Sequence, residues 1–242
     1  MPSSQQSGGR ARLPIVIGVA VVAVLALGAA GIAYMFSGTA PAGVSLSTSS
    51  PGAQGGTGSL EGTWKVDTSI GSFSDFSSSF VGYRVQENLA QVGSTTAVGR
   101  TPKVSGSLTF AGNTISAVKI TADLTALQSD KSMRDGQLHG QALQTDQFPT
   151  ATFELTMPIQ LPAAPTDGQT ISVTAQGNLT LHGVTKAVSI PLDAKLSGSA
   201  VTVVGALKIQ FADYSITPPQ SMMVVSVDNF GEMELQLLFT KG

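Results

Sequence analysis

The chain has 242 residues, of which 12% are charged, 27 are glycine and none is cysteine. The absence of cysteine excludes disulfide bonds, a thiolate metal site, a cysteine nucleophile and a lipid-modified N-terminal cysteine. The formal net charge of −2 indicates no basic surface for nucleic acid. Abundant glycine, serine and threonine among short runs of valine, isoleucine, leucine and phenylalanine favour strands and turns over helices.

The N-terminal part of the chain predicts a membrane anchor. Residues 1–12 are polar, and residues 13–36 contain no charged side chain. As a helix rising ~1.5 Å per residue, the second stretch spans roughly 36 Å, enough to cross a hydrocarbon core of ~30 Å. Because Arg10 and Arg12 precede it, the positive-inside rule places the N-terminus in the cytoplasm and the C-terminal domain outside the plasma membrane.

A cleaved signal peptide is the alternative interpretation of residues 13–36. The apolar region of such peptides is usually about 7–15 residues long, which is shorter than this stretch. Under this alternative the remainder of the chain is secreted. We therefore expect a single-pass, signal-anchor type of plasma-membrane protein, with secretion as the second possibility.

Residues 37–59 predict a flexible linker, because they are uncharged and rich in Gly, Ser, Thr, Ala and Pro and offer too little apolar surface to order themselves. As a coil they would span about 26 Å root-mean-square. Residues 60–242 form the domain that follows, with 11 basic and 15 acidic residues and therefore a net charge of −4. Such a domain gains nothing from anionic headgroups, so the predicted helix is what holds it at a membrane.

Alternation of apolar and polar residues with a period of two runs through the domain and is typical of half-buried strands. Trp64, Val66 and Ile70 open the first predicted strand, and residues 104–124 read as two strands joined by a turn at 111–113. Eight or nine such segments are separated by turn residues. This pattern predicts an all-β protein, either an antiparallel sandwich or a closed barrel.

One charged segment, residues 129–143, interrupts the alternation. Met133, Leu138 and Leu143 are spaced as on one side of a short helix, which Gly136 and Gly140 weaken. We expect a short helical crossover or cap between strands.

The stretch "NLTLHGVTKAVSI" (178–190) predicts a hairpin whose register is set by a two-residue loop at His182-Gly183. In that register Val173 faces Leu192, whereas a three-residue loop would slip the pairing by one residue and oppose it to Asp193. Tight hairpin loops need positive φ, which Gly adopts freely and His adopts more readily than most side chains. We interpret His182 as a turn residue at the rim rather than as a site residue.

Catalytic and metal-binding patterns are weak. His139 and His182 are the only two histidines, and no H-E-x-x-H motif or close histidine pair supports a zinc site. No G-x-S-x-G motif supports a serine hydrolase. Arg134 and Asp135 are interpreted as an ion pair or cap on the short helix, with a functional pair as the alternative. We predict no catalytic residues, no metal and no enzymatic activity.

The segment "PPQSMMVVSV" (218–227) offers one candidate for an apolar opening. Met222 and Met223 follow two prolines, and methionine adapts to irregular apolar partners. These methionines are a candidate portal, and an ordinary buried strand is the equal alternative.

Two motifs resemble the YceI-like family. "MRDGQLHGQALQTDQFPTATFEL" (133–155) is similar to that family's R-D-x-x-L stretch followed by an aromatic-Pro-Thr-x-x-Phe strand. "GNLTLHGVTKAVSIPLDAKL" (177–196) resembles its strand, His-Gly, strand hairpin, and "KIQFADYSI" (208–216) also fits. The resemblance covers roughly residues 62–240.

The resemblance implies a lipocalin-like antiparallel β-barrel of about eight strands that binds an apolar polyisoprenoid or quinone-like lipid in the bacterial cell envelope. A barrel of this size can hold one ligand among its inward side chains, and no other cofactor or protein partner is predicted. A structural or interaction module, whose barrel is filled by its own side chains, is the alternative function. The predicted cavity-lining residues are Phe153, Leu155, Val188, Ile190, Leu192, Leu207, Ile209, Phe211, Leu235 and Leu237.

Overall fold

The structure, a computed structural model, describes residues 40–46, 60–90, 92–220 and 224–242. The predicted cytoplasmic tail, the predicted transmembrane helix, most of the predicted linker and the candidate portal at Met222 and Met223 lie outside the described residues. Among the helices that the structure describes, none has the length and apolar character needed to cross a membrane.

The described residues form thirteen strands, one short α-helix and three single turns of other helix types. The strands are β1 (Gly62–Val66), β2 (Phe80–Leu89), β3 (Gly93–Thr101), β4 (Val104–Ala111), β5 (Thr114–Asp123), β6 (Gln128–Ser129), β7 (Thr150–Leu155), β8 (Ile159–Gln160), β9 (Thr170–Leu181), β10 (Val184–Ser197), β11 (Ala200–Gln210), β12 (Val224–Val227) and β13 (Phe230–Lys241). The helix α1 (Ser132–Gln137) continues into a π-helical turn (Leu138–Ala142), and 3₁₀ turns occupy Leu124–Ala126 and Phe211–Tyr214.

Eight strands close into an antiparallel barrel. They follow the order β1-β4-β5-β7-β9-β10-β11-β13, and β13 pairs back onto β1. The first half of β13 pairs with β2 instead, so β1 and β2 share one edge of β13. Strand β3 extends this edge into a ribbon, to which β6 and β12 add short pairings. The predicted all-β antiparallel barrel of about eight strands with one short helix is confirmed.

The barrel interior is built from the alternating apolar positions. Its buried residues include Trp64, Leu108, Ile190, Leu237 and Phe239, each at most 4% exposed. Burying one such side chain contributes roughly 1.5–3 kcal/mol. Because successive side chains of a strand point to opposite faces, this single periodicity fills the inside and leaves the outer face polar.

The hairpin register predicted from sequence is confirmed. Leu181 pairs with Val184 and Val173 pairs with Leu192, so the loop between β9 and β10 holds two residues. His182 has φ of 50° and Gly183 has φ of 73°, the positive values that a type I′ loop requires. The turn at residues 111–113 is also confirmed, with Gly112 at φ of 63° between β4 and β5.

His182 does more than adopt the turn conformation. Its side chain is buried, its Nδ1 donates to the backbone oxygen of Tyr214 at 3.0 Å, and its Nε2 lies 3.1 Å from the side-chain amide of Gln144. The ring also packs against Phe148 with centroids 4.4 Å apart. One imidazole therefore joins the β9–β10 loop to the Phe211–Tyr214 turn and to the segment that follows α1.

Two parts of the barrel differ from the sequence-based expectation. The first predicted strand, which extended to Ile70, ends at Val66, because the Asp67 carboxylate accepts hydrogen bonds from the backbone and hydroxyl of Ser69 and turns the chain. Strand β3, in contrast, is absent from the alternation pattern, since it consists mainly of Gly, Ser, Thr and Ala. It forms through its pairing with β2 rather than through its own hydrophobic pattern.

Replacing His182 tests this junction. We expect His182→Val to lower the free energy of unfolding by roughly 2–4 kcal/mol, because a β-branched residue is strained at positive φ and two hydrogen bonds worth about 1 kcal/mol each are lost. His182→Asn tolerates the φ value and should cost about half as much. Urea denaturation followed by circular dichroism measures both variants, and equal losses in the two would contradict the contribution of backbone strain.

Candidate functional site

The barrel contains apolar cavities arranged along its length. The mouth cavity, of about 150 Å³, lies under α1 and the π-helical turn and is lined by apolar residues that include Leu124, Leu127 and Phe211. The inner cavity, of about 110 Å³, lies deeper in the barrel and is lined by residues that include Ile120 and Leu237. Both are bounded almost entirely by hydrocarbon.

The two cavities meet at a neck formed by residues that line both, namely Val81, Ala151, Leu179 and Met233. A third cavity of about 50 Å³ lies at the far end of the barrel and shares Leu108, Ile115 and Val173 with the inner one. The interior is therefore an elongated apolar space that side chains divide into three compartments.

The predicted cavity-lining residues fall into three groups. Ile209 and Phe211 line the mouth cavity. The inner cavity is lined by Phe153, Ile190, Leu192, Leu235 and Leu237. The other three, Leu155, Val188 and Leu207, pack against the core but are not among the lining residues of the described cavities. Their role in ligand binding stays a prediction.

Most residues of the mouth cavity were not predicted from the sequence. Val81 and Tyr83 alternate with Gly82 and Arg84 along β2, so the sequence did carry a signal for their inward direction. Leu138 and Leu143 lie on the recognised helical segment, and they turn towards the cavity while Met133 is 64% exposed. The sequence pattern identified the elements but not which of their apolar faces would meet around one space.

Charged residues gather at the mouth. The Arg134 guanidinium donates to Glu87 at 2.7 Å and to Asp130 at 2.6 Å. Asp135 accepts a hydrogen bond from the backbone nitrogen of Ser129 at 2.8 Å. Arg134 and Asp135 therefore each have separate partners, and the alternative of a functional pair between them is not supported. Arg134 and Glu87 also line the mouth cavity.

Tyr83 places a hydroxyl group in the apolar wall beside this ion pair. Within the described residues its oxygen has no hydrogen-bond partner. Burial raises the pKa of Tyr83 well above its ordinary value, since the charged form would lose its hydration. Tyr83 and Thr101 thus place neutral hydroxyl groups among the residues that line this mainly apolar cavity, close to a charged rim.

The two histidines make separate structural contacts. The His139 ring nitrogen Nε2 donates to the backbone oxygen of Leu127 at 2.9 Å, and His182 holds the hairpin loop as described. In the part of the chain that the structure describes, no three His, Asp or Glu side chains converge as metal ligands would.

The outer face of the barrel carries a buried cluster of charges. Glu234 of β13 accepts from Arg84 of β2 at 2.8 Å and from Arg100 of β3 at 3.1 Å, and its side chain is 1% exposed. The Arg100 guanidinium also lies against the rings of Phe76 and Phe80, at 4.3 and 4.4 Å from their centroids. Two cations therefore share one carboxylate under a lid of aromatic rings.

Residues 40–46, from the predicted linker, lie against this cluster and are called the strap below. The Arg84 guanidinium donates to the backbone oxygen of Pro41 at 2.7 Å, and that of Arg100 donates to the backbone oxygen of Ala42 at 2.9 Å. A side chain at Gly43 would begin 3.5 Å from a carboxylate oxygen of Glu234. The expected flexible linker is therefore in contact with the barrel over this part.

Known proteins resemble this chain in sequence and in fold. A UPF0312 protein of Enterobacter sp. is 32% identical over 149 residues, which cover 57% of this chain and 70% of the relative. A UPF0312 protein of Pseudomonas aeruginosa is 35% identical over 122 residues, covering 49% of this chain and 56% of the relative.

A polyisoprenoid-binding domain from Saccharophagus degradans, implicated in plant cell wall breakdown, superposes with a TM-score of 0.56 at 17% identity, covering 75% of this chain and 99% of that domain. This likeness supports the fold. The model of the YceI-like domain matches residues 64–239, which include all but the first two and the last two residues of the closed barrel. The chain therefore belongs to the YceI-like family.

Proposed function

We propose that the protein binds one long apolar lipid, of the polyisoprenoid or quinone type, inside its barrel. The observation that carries the proposal is the row of cavities, whose lining is mainly apolar. A hydrocarbon chain taken into this space gains ~25 cal/mol per Å² of buried apolar surface. The structural relative named for polyisoprenoid binding supports this ligand class.

The cavity sizes indicate how such a ligand would fit. A cavity of about 150 Å³ accommodates a benzene-sized group, and a five-carbon isoprene unit is of similar size. The mouth and inner cavities, of about 150 and 110 Å³, thus suit about one isoprene unit each. A longer chain requires the neck to widen, and Met233 is the flexible side chain there.

The lipid would bind by insertion, with no chemical step. Tyr83 is the donor that a carbonyl, hydroxyl or phosphate oxygen at the head of the lipid would meet. The charged rim at Arg134 and Glu87 suits a polar head that stays near water. The protein therefore acts as a container for the lipid and not as an enzyme.

The proposal includes a location. Residues 13–36 are long and apolar enough to span a bilayer, and the arginines before them favour a cytoplasmic N-terminus. The barrel would then work outside the plasma membrane, next to the phase in which isoprenoid lipids dissolve.

The alternative function, a structural or interaction module, also has an observation in its favour. Side chains at the neck separate the compartments, so the barrel is partly filled by its own residues. In this alternative the compartments are packing gaps, and no lipid copurifies with the protein. The experiment below separates the two functions.

Ala151→Phe should block the neck, because Ala151 lines both the mouth and the inner cavity. We expect the affinity for a fluorescent polyene lipid, displaced by geranylgeraniol, to fall at least tenfold, equivalent to 1.4 kcal/mol. Mass spectrometry of solvent extracts should show correspondingly less copurified isoprenoid lipid than with the unaltered full chain.

Ala187→Phe is the matched control for this experiment. Ala187 lies on the exposed outer face of β10, so the same substitution leaves the cavities unchanged. Lipid binding should be retained in this variant. If the unaltered chain carries no isoprenoid lipid and geranylgeraniol displaces no probe, the self-filled barrel is the correct function.

Tyr83→Phe tests the proposed contact with the head of the lipid. The variant should bind geranylgeraniol several-fold more weakly, because a buried hydroxyl of the ligand loses its donor. Binding of the saturated hydrocarbon phytane should stay unchanged, since it has no polar atom. Equal losses for both compounds would show that Tyr83 acts by shape alone.

The pH dependence of stability provides a control for the burial of Tyr83. Its folded-state pKa is raised above the unfolded value of about 10, so its contribution to stability is complete below about pH 10 and is lost as the pH rises further. Urea unfolding at about pH 8 and about pH 11 should therefore show a smaller alkaline loss in Tyr83→Phe than in the unaltered chain.

A further inference from the structure

The strap supplies acceptors for guanidinium N–H groups of Arg84 and Arg100 that Glu234 does not accept. Arg84 and Arg100 together have more N–H groups than one Glu234 carboxylate can accept. The backbone oxygens of Pro41 and Ala42 take two of these groups. With the strap in place, the Arg100 side chain is only 4% exposed. Hydrogen bonds from a charged donor are stronger than those between neutral groups, which favours the docked strap.

The position of the strap determines where the upstream chain leaves the domain. Ala40 and Pro41 line an outer pocket of about 510 Å³ together with Asp130 and Arg134. Arg134 also lines the mouth cavity. The chain that precedes Ala40 therefore leaves the domain beside the mouth of the barrel, close to α1.

The surface around the mouth is suited to contact with lipid. Three large apolar side chains are prominently exposed in the described residues, namely Met133, Met157 and Val225. Met133 lies on α1 and Val225 on β12, the two elements that flank the mouth cavity. Met157 follows β7. Two of the three therefore lie on the side where the upstream chain leaves.

We propose that the docked strap holds the mouth of the barrel against the membrane surface, with Met133 and Val225 facing the lipid. This inference rests on the proposed function, since it requires the anchor at residues 13–36. Only residues 37–39 separate that anchor from Ala40, and four Cα steps reach at most about 14 Å. With an undocked linker of residues 37–59, the root-mean-square reach would be about 26 Å and the orientation would be free.

The proposed orientation would make lipid exchange between the membrane and the barrel easier. A mouth held at the bilayer lets a lipid pass between membrane and barrel without exposing its whole tail to water. A barrel on a long free tether would have to find the correct orientation at each encounter.

The test uses the full chain in phosphatidylcholine vesicles that contain a rhodamine-labelled lipid. The chain has no cysteine, so Ser132→Cys at the mouth and Ser199→Cys at the far end each give one labelling position. Both serines are exposed. We expect energy transfer from a fluorescein label to the membrane to be at least twofold greater from position 132 than from position 199.

Two insertions provide the matched comparison. A Gly-Ser insertion of about twelve residues, with a reach of roughly 19 Å, is placed either within residues 37–39 or within residues 51–58. Only the first lengthens the path between anchor and docked strap, so only the first should abolish the difference between positions 132 and 199. If both insertions have equal effects, or if the two positions do not differ without an insertion, the orienting strap is overturned.

The result also separates this inference from the proposed function. A chain that does not float with the vesicles overturns the membrane anchor and the orientation with it. A chain that floats and binds geranylgeraniol, but responds equally to both insertions, overturns the strap alone.

Discussion

The β2–β3 ribbon is joined to β13 of the barrel through one buried carboxylate. Glu234 pairs with arginines from β2 and β3, and this ties the ribbon of those strands to the strand that completes the barrel. Breaking such a pair by removing one partner leaves a buried charge uncompensated, which typically costs 3–5 kcal/mol. Phe76 of the loop between β1 and β2 and Phe80 of β2 lie against Arg100, and the strap supplies two further acceptors. The pairing of β13 with β2, the loop between β1 and β2, and the strap therefore come together around the Glu234 carboxylate.

The interior of the barrel differs from this outer cluster in both polarity and packing. Inside the barrel the residues are mainly apolar and their arrangement leaves space, whereas the outer cluster is charged and its two guanidinium groups make four hydrogen bonds. The two environments meet at the mouth, where the Arg134–Glu87 pair lies among the residues that line the cavity. This arrangement suits the proposed lipid binding. Hydrogen bonds on the outside hold the wall of the barrel, and the apolar interior leaves space for a ligand.

Much of the fold was predictable, because the period-2 alternation of a strand is local. The register of the β9–β10 hairpin followed from a two-residue loop and the match of apolar residues across it, and the structure confirms it. Strand β3 was not predictable in this way, since its small and polar residues form a strand only beside β2. The docking of the strap could not be predicted from the sequence either, because it uses backbone oxygens, which every residue has. Whether Leu155, Val188 and Leu207 meet a ligand-binding space could not be decided from alternation alone, because an inward side chain meets a space only where neighbours distant in sequence leave one.

The covalent connection of the strap to β1 through residues 47–59 has a consequence for its binding strength. A segment joined to its own binding surface by a connection of this length experiences an effective concentration on the order of millimolar. The strap therefore binds its surface more readily than the same segment would as a free peptide at a lower concentration. A free peptide of the same sequence would have to reach a similar concentration to displace the strap from the two arginines.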